Sequence, residues 1–307
     1  MNSDVLMMLF ILQIKNIVQQ KEQSTMTSPV PREQPFGNKR FADFDLAGKT
    51  FIVTGGARGL GLAIAEALVE AGGKVYCFDI QEKPDDEWEE AQRRVVPEWG
   101  GQLVYCQQDV RDAKLLEQRI SQIADENGQL NGVVAAAAFI QTTPALDYSV
   151  DDISSMLATN YTSVFVTAQA SAKAMMKHKT RGASICMVAS MSGLVANKGM
   201  RSPVYNSSKA AVIQLARSLA MEWSPLREDG SGGIRVNCLS PGHIETPMVL
   251  ELFEKDPGMK KKWIAENMMG RLATTGEFKG AALFLMSSAS SFMTGNNLVI
   301  DGGHTAW

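Results

Sequence analysis

Cysteine and histidine are scarce in this chain. Cys77, Cys106, Cys186 and Cys238 are scattered over 307 residues without a C-x-x-C pair, which argues against a disulfide scaffold or a zinc ribbon. His178, His243 and His304 are the three histidines, and none is paired at metal-ligand spacing, so zinc-dependent chemistry is not indicated. Charge of one sign is lacking too. Thirty basic against 33 acidic residues leave −3, which offers no footprint for a polyanion such as nucleic acid. Long hydrophobic runs are missing as well. Residues 5–12 (VLMMLFIL) are too few to cross roughly 30 Å of hydrocarbon, and no basic flank or clean cleavage pattern marks a secretory signal. With 45% apolar and 21% charged residues, what remains is a globular chain of cytoplasmic type whose chemistry rests on neither metal nor thiol.

Residues 19–40 are rich in Gln, Lys, Ser and Pro with little periodicity. We therefore expect residues 1–44 to form a disordered arm, with an interfacial or targeting helix near its start as the alternative and Met26 as a second plausible start. From Leu46 onward β-rich runs alternate with amphipathic stretches. Strands are expected at 49–54, 74–80, 103–106, 132–136, 183–189, 234–239 and 297–300. Helices are expected at 60–70, 113–125, 153–177, 205–223 and 275–287. Buried strands alternating with helices predict an α/β fold, a doubly wound seven-stranded parallel sheet in one domain spanning 45–307. The polar, glycine-rich segment 225–233 (PLREDGSGG) is expected on the surface.

The first strand runs into Thr54-Gly55-Gly56-Ala57-Arg58-Gly59-Leu60-Gly61 and then a helix. Gly55, Gly59 and Gly61 suit a tight turn, close backbone approach to a pyrophosphate and close helix–strand packing. The helix N-terminus beyond them offers N–H groups and partial positive charge to an anion. Strand, turn and helix in that order point to a dinucleotide rather than a plain turn. Asp79 ends the second strand, 24 positions after Gly55, where a carboxylate accepts from ribose hydroxyls and repels a 2′-phosphate. Two unit charges about 4 Å apart interact by roughly 4 kcal/mol at an effective dielectric near 20, enough to discriminate between cofactors. Arg58 argues the other way, since it suits a 2′-phosphate unless it is simply a solvated loop residue. NAD is favoured, with NADP as the alternative.

Tyr205 and Lys209 stand four positions apart on a predicted helix, so both face one side. A free tyrosine is only about 0.1% phenolate at pH 7, and a nearby ammonium favours ionisation. That pairing suits a general acid–base acting on a substrate alcohol. Ser190 lies 15 positions before Tyr205, at a strand end, where its hydroxyl would reach the reacting oxygen; Ser192 competes for that role. Asn160 is an unusual mid-helix residue, either a solvent-facing polar group or a carboxamide in a water relay.

The set T-G-x-x-x-G-x-G at 54–61, Asn160, Ser190, Y-x-x-x-K at Tyr205 and Lys209, and Pro241-Gly242 resembles the short-chain dehydrogenases/reductases over about residues 45–307. The resemblance implies that Tyr205 is the acid–base and that Lys209 lowers its pKa and holds the nicotinamide ribose. It implies further that Ser190 orients the substrate oxygen and Asn160 supports the water relay. Asp109-Val110 matches the pair that contacts adenine, and Ile244 and Thr246 match positions contacting the nicotinamide carboxamide. One departure is Ala135-Ala136-Ala137-Ala138, where the family commonly has Asn-Asn-Ala-Gly; missing amides should remove strand-stabilising hydrogen bonds.

Helix AVIQLARSLAMEW, turn LSPGHIETPM and the closing DGG…W are similar to fungal polyol dehydrogenases of this family, the D-arabinitol type among them. This implies interconversion of a secondary alcohol, a polyol, with its ketone. The alternative is NADPH-dependent reduction of an apolar or polyketide-like ketone, and a catalytically silent dinucleotide-binding scaffold is the reading of another class. Residues 249–269 are expected to form a lid over substrate, with Glu251, Glu254 and its lysines mostly on a solvated outer face. A homotetramer in the cytoplasm is implied, in which Trp307 reaches a neighbouring subunit.

Overall fold

Seven segments form seven parallel strands in the order β3-β2-β1-β4-β5-β6-β7. They are β1 (Thr50–Thr54), β2 (Lys74–Asp79), β3 (Gln102–Gln107), β4 (Gly132–Ala135), β5 (Ser184–Val188), β6 (Arg235–Pro241) and β7 (Asn297–Ile300). This computed structural model describes residues 41–307. The expected arm therefore lies outside the described residues up to position 40; of its last residues, Ala42–Phe44 form a 3-10 turn. Asp43–Trp307 form one compact unit containing the whole sheet. Among the described residues no helix is long and apolar enough to cross a membrane.

β1, β4, β5 and β6 are buried along their whole length, so β1, β4 and β5 read as short apolar runs rather than alternating ones, while β6 buries Arg235, Asn237 and Ser240 with hydrogen-bond partners. One face is covered by α1 (Gly59–Glu70), whose Leu62, Ile64 and Leu68 pack with Phe51, Val53 and Val75. The other is covered by residues such as Leu116, Ile120, Val164, Val212 and Leu219, which pack with Ile52, Val133 and Ile185. They come from α3 (Ala113–Asn127), α5 (Ser163–Lys177) and α6 (Pro203–Trp223). This is the doubly wound arrangement expected from the sequence. The chain order reverses direction between β1 and β4, and in open parallel sheets that switch point opens a crevice beyond the strand C-termini.

Three local differences from the sequence reading matter. A helix, α2 (Asp86–Arg94), lies between β2 and β3 where none was expected. Only Trp88 and Ala91 of it are buried, so it shows almost no apolar periodicity; acidic residues in its first turn and arginines in its last suit the helix dipole instead. The long helix expected at 153–177 begins earlier, as α4 (Val150–Leu157), and is interrupted by a π-turn at Ala158–Thr162 before α5. The expected lid consists of two helices, α7 (Pro247–Lys255) and α8 (Pro257–Ala265), the second capped by Asp256 accepting from Gly258 N at 3.1 Å. A last helix, α9 (Lys279–Met286), packs Leu285 beside α1.

Candidate active site

The glycine-rich turn after β1 is shaped by close backbone approaches. Gly55 has φ +66°, and a Cβ there would stand 2.8 Å from Ala137 Cα. A Cβ on Gly61 would stand 2.0 Å from the Gly55 carbonyl oxygen, so only glycine lets α1 start directly against the turn. The hydroxyl of Thr54 accepts from Ala136 N at 3.2 Å and Ala137 N at 3.3 Å. That hydroxyl supplies hydrogen bonds to the segment in which two asparagines are replaced by alanine. First-turn N–H groups of a helix have no intrahelical acceptor, and Leu60 and Gly61 line the crevice there.

The crevice is a cavity of about 480 Å³ at the C-terminal ends of the strands. It is lined by Gly55, Arg58, Gly59, Asp79, Asp109, Val110, Ser190, Tyr205, Lys209, Pro241, Gly242, Ile244 and Thr246, so residues selected from distant parts of the sequence share one wall. Asp79 Oδ2 accepts from Ala57 N at 3.2 Å and its Oδ1 from Ile80 N at 2.8 Å. The Asp109 carboxylate is held by Arg111 at 2.7 Å, and that hydrogen bond lowers its pKa. Gly242 sits where a Cβ would come within 2.5 Å of Asp301 Cα, which fits the closing DGG segment against the end of β6. A glycine cradle, a helix N-terminus and a carboxylate at the end of β2 together fit the donor set a dinucleotide requires.

At the other end of the crevice, Ser190 follows β5 and Tyr205 rises from the first turns of α6. Burial pushes the Tyr205 pKa up, and the neighbouring Ser190 side chain partly counteracts it. Lys209 lies one turn further along α6, as the i, i+4 spacing requires, and is 1% exposed. Its Nζ donates to the Val188 carbonyl at 2.9 Å and lies 5.7 Å from the centroid of the Tyr205 ring. Burial lowers its pKa to about 8. Burial is thus the larger influence on the phenol, and the Lys209 ammonium stands near its ring and the Val188 carbonyl.

Ser192 also lines the crevice, and its hydroxyl is engaged by a neighbour. Its N–H donates to Ser190 Oγ at 3.1 Å, and its own hydroxyl accepts from Asn197 Nδ2 at 2.5 Å. Asn160 is buried behind the wall, turned inward by the π-turn. Its Oδ1 accepts from Phe139 N at 3.0 Å and its Nδ2 donates to Phe139 O at 2.8 Å, which fixes the chain just past the four alanines. π-turns of this kind recur at functional sites because the extra residue re-aims a side chain.

The sequence reading missed four residues of this wall. Asn197 is 5% exposed, has φ +53° and leaves its Oδ1 without a partner. His243 is 7% exposed, and neither ring nitrogen has a partner. Trp263 of α8 stacks on His243 with centroids 4.0 Å apart, and Met200 packs beside Trp263. Burial, reinforced by His304, lowers the His243 pKa to about 3, so the ring is neutral at physiological pH. Its place inside PGHIETP was the available signal. In the segment expected to form a lid, Glu254, Lys260, Lys261 and Lys262 are exposed, with Lys260 paired to Glu245 at 2.5 Å, while the side chain of Glu251 lies outside the described residues.

Comparison with known proteins agrees with this geometry. A family model described as "Enoyl-(Acyl carrier protein) reductase" matches residues 55–305. The chain is 39% identical over 266 residues to "Short chain dehydrogenases/reductase notP'" of Aspergillus versicolor, covering 86% of this chain and 89% of that protein. It is 34% identical over 278 residues to a D-arabinitol 2-dehydrogenase (ribulose-forming) of Candida albicans, covering 86% and 95%. Among solved structures, the NADPH-dependent 3-quinuclidinone reductase of Rhodotorula rubra superimposes with a TM-score of 0.77 at 30% identity, over 91% of this chain and 100% of that one.

Proposed function

The chain belongs to the short-chain dehydrogenase/reductase family, and on that premise we propose that it is an NAD-dependent oxidoreductase that interconverts a secondary alcohol of a polyol with its ketone. The observation that carries the polyol assignment is the set of unpartnered polar atoms, Asn197 Oδ1 and both His243 nitrogens, in the wall shared with Ser190 and Tyr205. A buried polar atom without a partner costs about 1–3 kcal/mol, which a substrate hydroxyl relieves and an apolar ketone does not. A neutral imidazole both donates and accepts, which suits an uncharged polyol.

Nicotinamide, when bound, supplies the hydride acceptor or donor and, in its oxidised form, a positive charge. The rest falls to the protein. Ser190 and the Tyr205 hydroxyl hold the reacting oxygen between them. Tyr205, kept protonated by burial, is the proton donor in ketone reduction and the base in alcohol oxidation. Lys209 holds the nicotinamide ribose and keeps positive charge beside the phenol. Asn160 braces the Phe139 backbone and supports the relay that returns the proton to water. Gly55, Leu60 and Gly61 hold the pyrophosphate, Asp79 the adenosine ribose, Asp109 and Val110 the adenine, and Ile244 and Thr246 the carboxamide. The active form is a cytoplasmic homotetramer in this reading, and the four free cysteines support a reducing compartment.

The cavity's other lining residues, Phe139, Ile140, Met191, Met200 and Val249, favour the second reading, NADPH-dependent reduction of an apolar ketone. Initial rates with NAD(H) and NADP(H) across C5 and C6 polyols, their ketoses and bulky apolar ketones separate the two. We expect NAD+ reduction with a polyol; turnover confined to NADPH and apolar ketones would replace the first reading by the second.

A further inference from the structure

The glycine-rich turn carries two carboxylates, not one. Besides Asp79 on Ala57 N, both oxygens of Glu87 accept from Gly59 N, at 3.1 and 3.2 Å. Glu87 comes from the first turn of α2, the helix that the sequence pattern did not reveal. Its placement is built rather than incidental. Neighbouring Trp88 is 2% exposed and packs edge-on against Tyr105, while at the far end of α2 Arg94 pairs with Glu66 of α1 at 2.7 Å. Arg58 lies between the two occupied N–H groups, and its charge acts on Glu87, partly opposing the rise in pKa that burial causes there.

From this geometry we infer that Glu87 is a cofactor-specificity residue that, together with Asp79, excludes a 2′-phosphate and cancels the attraction Arg58 would otherwise exert on one. The inference rests on the dinucleotide reading above. In folds of this type the adenosine ribose meets the carboxylate at the end of β2, and an arginine nearby is what accommodates the 2′-phosphate of NADP. Here the arginine is present, but the loop N–H groups on either side of it, at Ala57 and Gly59, already bond carboxylates. A 2′-phosphate brought to Arg58 would find those donors taken and two negative charges beside it. The first-turn groups at Leu60 and Gly61, which line the cavity, stay available to the pyrophosphate common to both cofactors. Arg58 therefore does not mark the chain as NADP-dependent while Glu87 is in place.

The test is equilibrium binding of NAD+ and NADP+ to the full chain, by calorimetry or quenching of intrinsic fluorescence, for wild type, Glu87→Gln, Glu87→Ala, Arg58→Ala and Glu87→Gln/Arg58→Ala. Glutamine keeps the shape and can still accept from Gly59 N–H, and melting temperatures check that each variant is folded. We expect the ratio Kd(NADP+)/Kd(NAD+) to fall at least tenfold in Glu87→Gln and further in Glu87→Ala. Removing Arg58 from Glu87→Gln should abolish most of that gain, whereas Arg58→Ala in the wild-type background should shift the ratio by less than threefold. A ratio within threefold of wild type in both Glu87 variants overturns the inference while leaving the enzyme reading intact. A gain that survives loss of Arg58 overturns it as well. If wild type binds neither nucleotide, the enzyme reading and this inference fall together.

Discussion

The two ends of the crevice are built on different principles. At the dinucleotide end, backbone does the work: glycines 55 and 61 admit close approach, and Ala57 and Gly59 N–H groups are already bonded to Asp79 and Glu87. At the substrate end, side chains from four separate segments meet, and several leave polar atoms unpartnered. At the first end the loop donors are already bonded before any small molecule arrives, apart from the first-turn N–H groups, and Gln108 Oε1 is a buried acceptor there without a partner. The second end awaits a ligand. A buried polar group lacking a partner is unfavourable in isolation, so it makes sense where a ligand completes it. The left-handed backbone of Asn197 belongs to the same pattern, since strain of this kind concentrates at functional sites.

The sharpest way to separate the ends is Tyr205→Phe. It should lower kcat by about 10²–10⁴, the usual worth of general acid–base catalysis, while NAD+ affinity measured by fluorescence titration shifts only a few-fold. Equal losses in both would mean that the ends are not independent. Gly61→Ala should do the converse. Its Cβ meets the Gly55 carbonyl, so we expect about 1–3 kcal/mol of destabilisation in thermal or denaturant unfolding, with nucleotide affinity reduced more than tenfold.

His243→Phe probes the other end. It should cut kcat/KM for a polyol by about 10–100-fold, the cost of 1–3 kcal/mol, while turnover of an apolar ketone holds or improves. A polyol rate unaffected by the change would remove His243 from substrate recognition. The same variant also bears on acid stability. Because His243 titrates near 3 when folded and near 6.5 when unfolded, the unfolded chain binds more protons between those values. Stability therefore falls as pH drops from about 6.5 towards 3. Denaturation midpoints across that window should show a shallower slope for His243→Phe than for wild type.

What was legible in the sequence divides along the same line. The glycine turn, Asp79, Tyr205, Lys209 and Ser190 could be named because each lies in a short contiguous motif tied to a strand end or one helix face. The sheet was equally readable, since the buried central strands β1, β4 and β5 leave short apolar runs. Asn197, His243 and Trp263 were not, because their meeting depends on how loops after β5 and β6 and helix α8 close over one another. Helix α2 was hidden by having only Trp88 and Ala91 in contact with the core, and with it went Glu87. The π-turn around Asn160 was hidden for another reason: one extra residue in a helical turn hardly disturbs the apolar pattern on either side.

In the proposed polyol reading, the buried, unpartnered groups select for hydroxyls beyond the one that reacts. The most direct test of that claim compares kcat/KM for a polyol substrate with that for the same compound lacking the hydroxyl next to the reacting carbon. The account predicts at least a hundredfold preference for the polyol, in line with sites built to bond a substrate hydroxyl, and one that shrinks in His243→Phe. Equal kcat/KM for the two compounds in the wild type would contradict it.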